Sequence, residues 1–398
     1  MIIPERPSLE RGVLTTLERS ADAPARIPVV LGGCGTGRTS LLLRLRDLVG
    51  RGSCQYIDVE RIATTPERCL DAIRRHSPLP PTHAASTSRD PGAREAFDAT
   101  LAYLDSARAP GGAPATFLLD EFLELRTFES FPGLRTVLRD VIAAIGASGN
   151  RFVLTSRYPT RALRLLREAP SAFEIIHVTP LSPAEIRATL PDAADGGGVP
   201  NALREAEADR LHDELARLVH ALSDGRPAYA RLIADTSAAL DPRGADPVSA
   251  LSALLARDGA LDRLCRFSYE LRLHRARGYG ALKAILNVLS AEEPLTLTEI
   301  ALRLSRTPGS TKDYLSWLED VDLIVSRQKR YSFADPLLRL WVRLHCRPVP
   351  PGDDDLAREV HRYALPRLPP HEPALAMAAA GGASAEEDKK AWGIIEID

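Results

Sequence analysis

The residues best equipped for chemistry lie in one short stretch, Gly32-Gly33-Cys34-Gly35-Thr36-Gly37-Arg38-Thr39. The spacing G-x-x-x-x-G-K-[ST] fits at each fixed position but one, where Arg38 stands in place of lysine. Glycines let a backbone curl until successive N–H groups face phosphate oxygens. A helix beginning at Ser40 would add the partial positive charge of its N-terminus. In this phosphate-binding reading Thr39 places a hydroxyl on Mg²⁺, and Arg38 is the side-chain cation for the β- and γ-phosphates. Arginine keeps the charge but is larger, planar and forked, so the exchange is not neutral. Only 5 of the 51 basic residues are lysines, the first being Lys283. Two readings of Arg38 therefore stand side by side: drift under an arginine-rich composition, and a site tuned to hydrolyse slowly.

Two further groups belong with that loop. Thr116-Phe117-Leu118-Leu119-Asp120-Glu121-Phe122 is an apolar strand ending in two acids. Asp120 would hold Mg²⁺ through water, and Glu121 would orient and activate an attacking water. Phe152-Val153-Leu154-Thr155-Ser156-Arg157 is a strand ending in two hydroxyls and an arginine. Next to the strand of the glycine loop, Arg157 could report a γ-phosphate while Thr155 or Ser156 positions water.

These groups need elements to carry them. Ile27 to Leu31 reads as a buried strand before the loop, and Pro7 to Arg19 as an amphipathic helix before that. Gln55 to Val59, Ala115 to Asp120, Arg151 to Thr155 and Glu174 to Val178 complete five strands. Helices are expected over Thr65 to His76, Glu95 to Ala107 and Leu134 to Ile145, with a loop over Ser77 to Arg94. Strands alternating with helices predict a parallel sheet covered on both faces. After Asp192 to Gly198 the pattern turns helical to about residue 325. Three helices and a hairpin then outline a winged helix: Gly280 to Leu289, a helix capped by Thr298 or Thr296, Ser310 to Asp320, and two strands flanking Arg327-Gln328-Lys329-Arg330. The expected division is a core over residues 1–190, a helical lid or linker over 191–270, a winged helix over 271–347, and a largely disordered extension over 348–398.

The three site motifs together resemble those of the STAND and archaeal-type ATPases, a P-loop clade close to AAA+ proteins that includes the NB-ARC switches. Thr155-Ser156-Arg157 matches the clade's pattern of strand, hydroxyls and arginine. Val178 to Ile186 resembles its leucine-containing lead into the lid. Gly225-Arg226-Pro227-Ala228-Tyr229 resembles its Gly-x-Pro, in which Pro227 would approach adenine. Asp335-Pro336-Leu337-Leu338-Arg339-Leu340-Trp341 resembles the closing segment of archaeal-type ATPases. The resemblance covers roughly residues 5 to 345. It implies ATP or ADP with Mg²⁺ as cofactors, catalytic or sensing roles for Glu121, Ser156 and Arg157, and nucleotide exchange that changes domain arrangement or assembly.

Composition narrows the partners. The net charge of −2 gives no global basic field for nucleic acid. Residues 270–345 carry 12 basic and 9 acidic side chains, so residues 310–330 are read either as a contact for duplex DNA or as a protein contact. The five cysteines are odd in number and lack C-x-x-C spacing, which fits free thiols in a reducing cytoplasm. No leader and no membrane-spanning run is expected. The apolar end Ala391 to Asp398 could pair with a partner's sheet edge or simply fray. A homo-oligomer is compatible, with Arg135 and Arg139 as candidate fingers in trans. Two other functions stay in view: a nucleotide-gated scaffold with little hydrolysis, and an initiator-like, DNA-remodelling ATPase.

Overall fold

The computed structural model describes residues 6–18, 26–80, 92–167, 169, 172–190, 202–240, 246–274 and 278–368. Its first part runs α1 (Pro7–Glu18), β1 (Ile27–Leu31), α2 (Arg38–Val49), β2 (Cys54–Asp58), α3 (Val59–Ile62), α4 (Pro66–Arg75), α5 (Ala93–Ser106) and β3 (Thr116–Asp120). A 3-10 stretch over Phe122–Ser130 follows, then α6 (Val137–Ala147), β4 (Arg151–Ser156), α7 (Pro159–Leu166) and β5 (Phe173–His177). The strands form one parallel sheet in the order β2-β3-β4-β1-β5. The expected α/β class holds, and all five expected strands are present with small shifts at their ends.

Both faces of the sheet are covered, which is why β1 and β3 are buried along their whole length. On one face, Val13 and Leu17 of α1 and Leu41, Leu42 and Leu45 of α2 pack on Val30, Leu118 and Val153. On the other, Phe97 of α5 and Val141 and Ile142 of α6 join Val29, Leu31, Phe117, Leu119, Phe152 and Leu154. Phe117 stacks on Phe152 at 5.5 Å and takes the edge of Tyr103 at 6.1 Å. Each such side chain contributes about 1.5–3 kcal/mol on burial. The insertion of β4 between β1 and β3 brings three strand ends together, with Leu31 opposite Ser156 and Leu119 opposite Leu154. Open parallel sheets bind ligands at such carboxyl ends.

Helices α8 (Pro183–Arg187), α9 (Ala202–Ser223), α10 (Pro227–Leu240), α11 (Pro247–Leu255) and α12 (Ala260–Leu273) follow the sheet. Next come α13 (Tyr279–Ala291), β6 (Leu295–Thr296), α14 (Leu297–Arg303), α15 (Pro308–Asp320), β7 (Ile324–Arg327) and β8 (Arg330–Phe333). These strands form a small antiparallel sheet in the order β6-β8-β7. Of the two threonines considered for the α14 cap, Thr296 is the one used: its hydroxyl accepts from Glu299 N, and Glu299 returns the bond. The chain closes with α16 (Pro336–His345) and α17 (Asp353–Ala364).

Helix α17 lies inside the segment expected to be a largely disordered extension. Its acids Asp353, Asp354 and Asp355 occupy the first turn, where they complement the helix dipole, and Leu356, Val360 and Tyr363 are buried. Helix α5 takes in Ala93 and Arg94, which the sequence assigned to a loop, while α6 begins only at Val137. The glycine-rich boundary at 192–198, most of the loop after Ser77 and the tail at 391–398 lie outside the described residues. No described helix is long and apolar enough to cross a membrane.

Candidate functional site

The glycine loop joins β1 to α2. Gly37 is the N-cap of α2 at φ 87°, a left-handed conformation that favours glycine, and as a glycine it offers no side-chain cap to the first N–H groups of that helix. At Gly32 a Cβ would meet Thr36 Oγ1 at 2.8 Å, so the loop closes only around glycine. The Thr36 hydroxyl donates to Gly33 O at 2.9 Å.

Arg38 is buried over this loop. Its Nη1 donates to the carbonyls of Gly32 and Gly33 and lies 3.1 Å from Thr36 Oγ1. Its Nη2 donates to Glu121 Oε1 at 2.5 Å, and both side chains of that pair are 8% exposed. The forked head thus bridges loop and acid, which a lysine ammonium lacks the span to copy. Glu121 has φ 56°, a left-handed conformation that costs a glutamate about 1–3 kcal/mol. Its N–H donates to Thr155 Oγ1 at 3.1 Å, and its Oε2 accepts from Arg157 N at 2.9 Å.

Asp120 gathers three hydroxyls. Thr39 and Tyr56 donate to Oδ2 at 2.7 and 2.9 Å, and Thr155 donates to Oδ1 at 2.5 Å. Burial and the neighbouring Asp120 push the Tyr56 phenol above its usual range, so it stays a donor. The hard oxygen donors of Thr39 and Asp120 suit Mg²⁺, which is held by a few protein oxygens together with phosphate.

Arg157 lies between two acids. Its Nη2 donates to Glu60 Oε2, and its Nε is 3.2 Å from Glu121 Oε2 without the alignment of a hydrogen bond. Burial opposes its charge, but Glu121 and Glu60 outweigh this and raise its pKa above the usual guanidinium value. Ser156 is not brought to the acids: its Oγ accepts from Tyr158 N at 3.0 Å. Successive strand residues face opposite ways, so only Thr155 of the two hydroxyls reaches Asp120.

The helices after the sheet fold back onto the loop. Ala228 N donates to Gly35 O at 3.3 Å, Pro227 packs by Gly37, and Ser40 lines a small cleft with Pro227. Arg226 donates to Cys34 O at 3.2 Å and to Ala334 O at 2.8 Å, and lies 3.4 Å from Asp335. Arg272 on α12, fully buried, donates to Asp322 O at 2.8 Å. The Asp322 carboxylate lies against Gly33. Burial raises its pKa, against the pull of Arg272 and Arg226. Together Gly33, Thr36, Thr179, Pro227, Asp322 and Ala334 help line a cleft of about 210 Å³. Cys34, partly exposed, is raised by burial but lowered further by Arg272 and Arg157, so its thiol falls below the ordinary value.

Tyr56, Glu60, Arg272 and Asp322 were not singled out from sequence. Each acts alone from a distant element, and no local pattern marks it. Arg139 lies on α6 and Arg135 just before it.

No protein-family model matches the chain, and no curated protein matches it. Solved structures do. The Walker-type ATPase PABY2304 of Pyrococcus abyssi aligns with a TM-score of 0.61 at 18% identity, over 86% of this chain and 96% of that one. The fold is that of a P-loop ATPase. The P-loop ATPase likeness takes in far more than the sheet, since a span of that length continues into the C-terminal helices. Weaker likenesses are the ORC1 protein of Aeropyrum pernix in complex with DNA (TM-score 0.40, 15% identity, 91% of this chain and 93% of that one) and the STAND protein PH0952 of Pyrococcus horikoshii, which has a tetratricopeptide repeat sensor (0.31, 16%, 90% and 44%).

Proposed function

We propose that the protein is a cytoplasmic, STAND-type switch that binds ATP with Mg²⁺ and hydrolyses it slowly. The observation that carries this reading is the single bonded chain Arg38–Glu121–Arg157 across the sheet edge, beside the Thr39–Asp120 pair. The phosphates would lie against the loop amides and Arg38. Thr39 and Asp120 would hold Mg²⁺, which when bound neutralises phosphate charge. Glu121 is the residue suited to orient water, and Arg157 the one suited to read the terminal phosphate. Such chemistry needs positioning and charge rather than a covalent intermediate. Glu121 Oε1 is taken by the Arg38 guanidinium and Oε2 by the Arg157 backbone N–H, so it serves water only after the phosphates draw Arg38 away. That favours low turnover and keeps the reading of a gated binding protein close behind.

We divide the chain as a core to about 190, a lid to about 270, and a winged helix to about 347 followed by α17. The winged helix serves chiefly to dock on the core. Its third helix, α15, carries Lys312 against Asp313, Glu319 and Asp320, a balance that repels phosphate backbones. Asp320 is moreover held by Arg164 of α7 at 2.7 and 2.9 Å. Arg327, Lys329 and Arg330 of the wing are exposed and are the part suited to DNA.

The deciding experiment measures ATP binding by calorimetry and turnover with and without duplex DNA. We expect micromolar or tighter binding, slow turnover and no stimulation by DNA. Glu121→Gln should keep ATP bound and remove the residual hydrolysis. No ATP binding would overturn the nucleotide reading; strong stimulation by DNA would favour the remodelling class.

A further inference from the structure

Arg157 can contact a terminal phosphate only if one of its nitrogens is presented to it. An arginine has five N–H donors in a rigid fork, and fixing one end of the fork orients the other. In the structure Nη2 donates to Glu60 and Nε faces Glu121, while Nη1 donates no hydrogen bond among the described residues. Glu60 itself has no place in the phosphate chemistry. It stands on α3, one short turn after the edge strand β2, with its side chain 38% exposed.

The position of Glu60 is nonetheless well determined. Asp58, the N-cap of α3, accepts from Arg61 N at 3.1 Å, so the turn is fixed to the end of β2. Asp58 is also the register partner of Asp120 on β3. The carboxylate that grips Arg157 is therefore two residues from a point paired directly with the proposed metal-holding acid. Strand β2 is not adjacent to β4, the strand that delivers Arg157. Glu60 reaches it from two strands away and ties the far edge of the sheet to the proposed sensor.

We propose that Glu60 is a positioning residue: it holds the Arg157 guanidinium by Nη2 so that Nη1 is left for the terminal phosphate of ATP. This rests on the nucleotide reading above. Glu60 touches neither nucleotide nor metal. Its effect falls on the preference for ATP over ADP, because only ATP carries the phosphate that Arg157 would meet.

The test is a calorimetric comparison of ATPγS and ADP binding in the full chain, for wild type, Glu60→Ala, Glu60→Gln, Arg157→Ala and the double Glu60→Ala/Arg157→Ala variant. Glu60→Ala should cut the ATPγS-over-ADP preference by about fivefold or more, with ADP affinity unchanged, as loss of a charge-assisted hydrogen bond predicts. Glu60→Gln keeps an acceptor without the charge and should retain an intermediate preference. The double variant should match Arg157→Ala alone, since Glu60 acts only through that arginine. A merely structural Glu60 would lower both affinities together, and that outcome overturns the proposal. So does a wild-type preference in Glu60→Ala, or additive losses in the double variant. If wild type binds neither ligand, the nucleotide reading itself fails; if Arg157→Ala loses the preference and Glu60→Ala keeps it, only the role of Glu60 fails.

Discussion

At the scale of single residues, the least conventional feature is Arg38. A lysine at this position would offer one point charge; the guanidinium instead spans two loop carbonyls and Glu121. Arg38→Ala removes that bridge and should weaken ATP binding by about 10–100-fold, the worth of a charged hydrogen bond. Undiminished affinity in a titration would refute the assignment. Arg38→Lys should raise turnover, because a lysine leaves Glu121 freer to serve water; an unchanged or lower rate would show that the site has adapted to arginine. Cys34 gives an independent check. Its thiol is lowered beside Arg272 and Arg157, whereas burial pushes Cys54 and Cys69 up to about 12 and also raises Cys265 and Cys346. At about pH 7.5 iodoacetamide should therefore alkylate Cys34 first, and ATP should slow that reaction, as followed by peptide mass spectrometry. If another cysteine reacts first, or ATP gives no protection, the loop environment described above is wrong.

At the scale of elements, a buried polar joint between α10 and the C-terminal elements lies at the start of α16. Asp335 accepts from Leu337 N and Leu338 N at 3.0 and 3.2 Å, from the Tyr229 hydroxyl at 2.7 Å, and pairs with Arg226. Asp335→Ala strands Arg226 and uncaps the helix, so it should cost about 3–5 kcal/mol in urea unfolding; a loss below about 1 kcal/mol would show that the joint is not a keystone. Asp335→Asn keeps the cap and should cost less. Legibility followed locality here. The glycine loop, the acid pair and Thr155–Arg157 were readable because each is contiguous and bounded by a strand of plain apolar pattern. Ser156 was read with Thr155, since sequence does not say which of two neighbours faces inward. Arg272 and Asp322 were invisible because each contributes a single side chain from far along the chain. Helix α17 was masked by Pro348, Pro350 and Pro351, whose composition outweighs the apolar spacing beyond it.

At the scale of the whole molecule, Arg226 before α10 and Asp322 after α15 both lie against the glycine loop, so under the proposed function a change at that loop would reach the C-terminal elements directly. A ligand shifts an equilibrium only by its differential affinity for the two states. Hydrogen exchange across 225–345 should therefore differ between ATP and ADP, and Arg157→Ala should narrow that difference; a full wild-type difference in the mutant would make Arg157 a bystander. The two ties between module and core also differ in kind. Arg164–Asp320 is an outer strap, with Arg164 60% exposed, whereas Asp322, to whose carbonyl the buried Arg272 of α12 donates, lies against Gly33 of the glycine loop in the interior. Mobile ions screen exposed charges over about 8 Å at physiological ionic strength but barely reach buried ones. Added salt should thus slacken the strap first and leave the inner tie intact, so that the module swings about its buried edge like a door on its hinge instead of coming away.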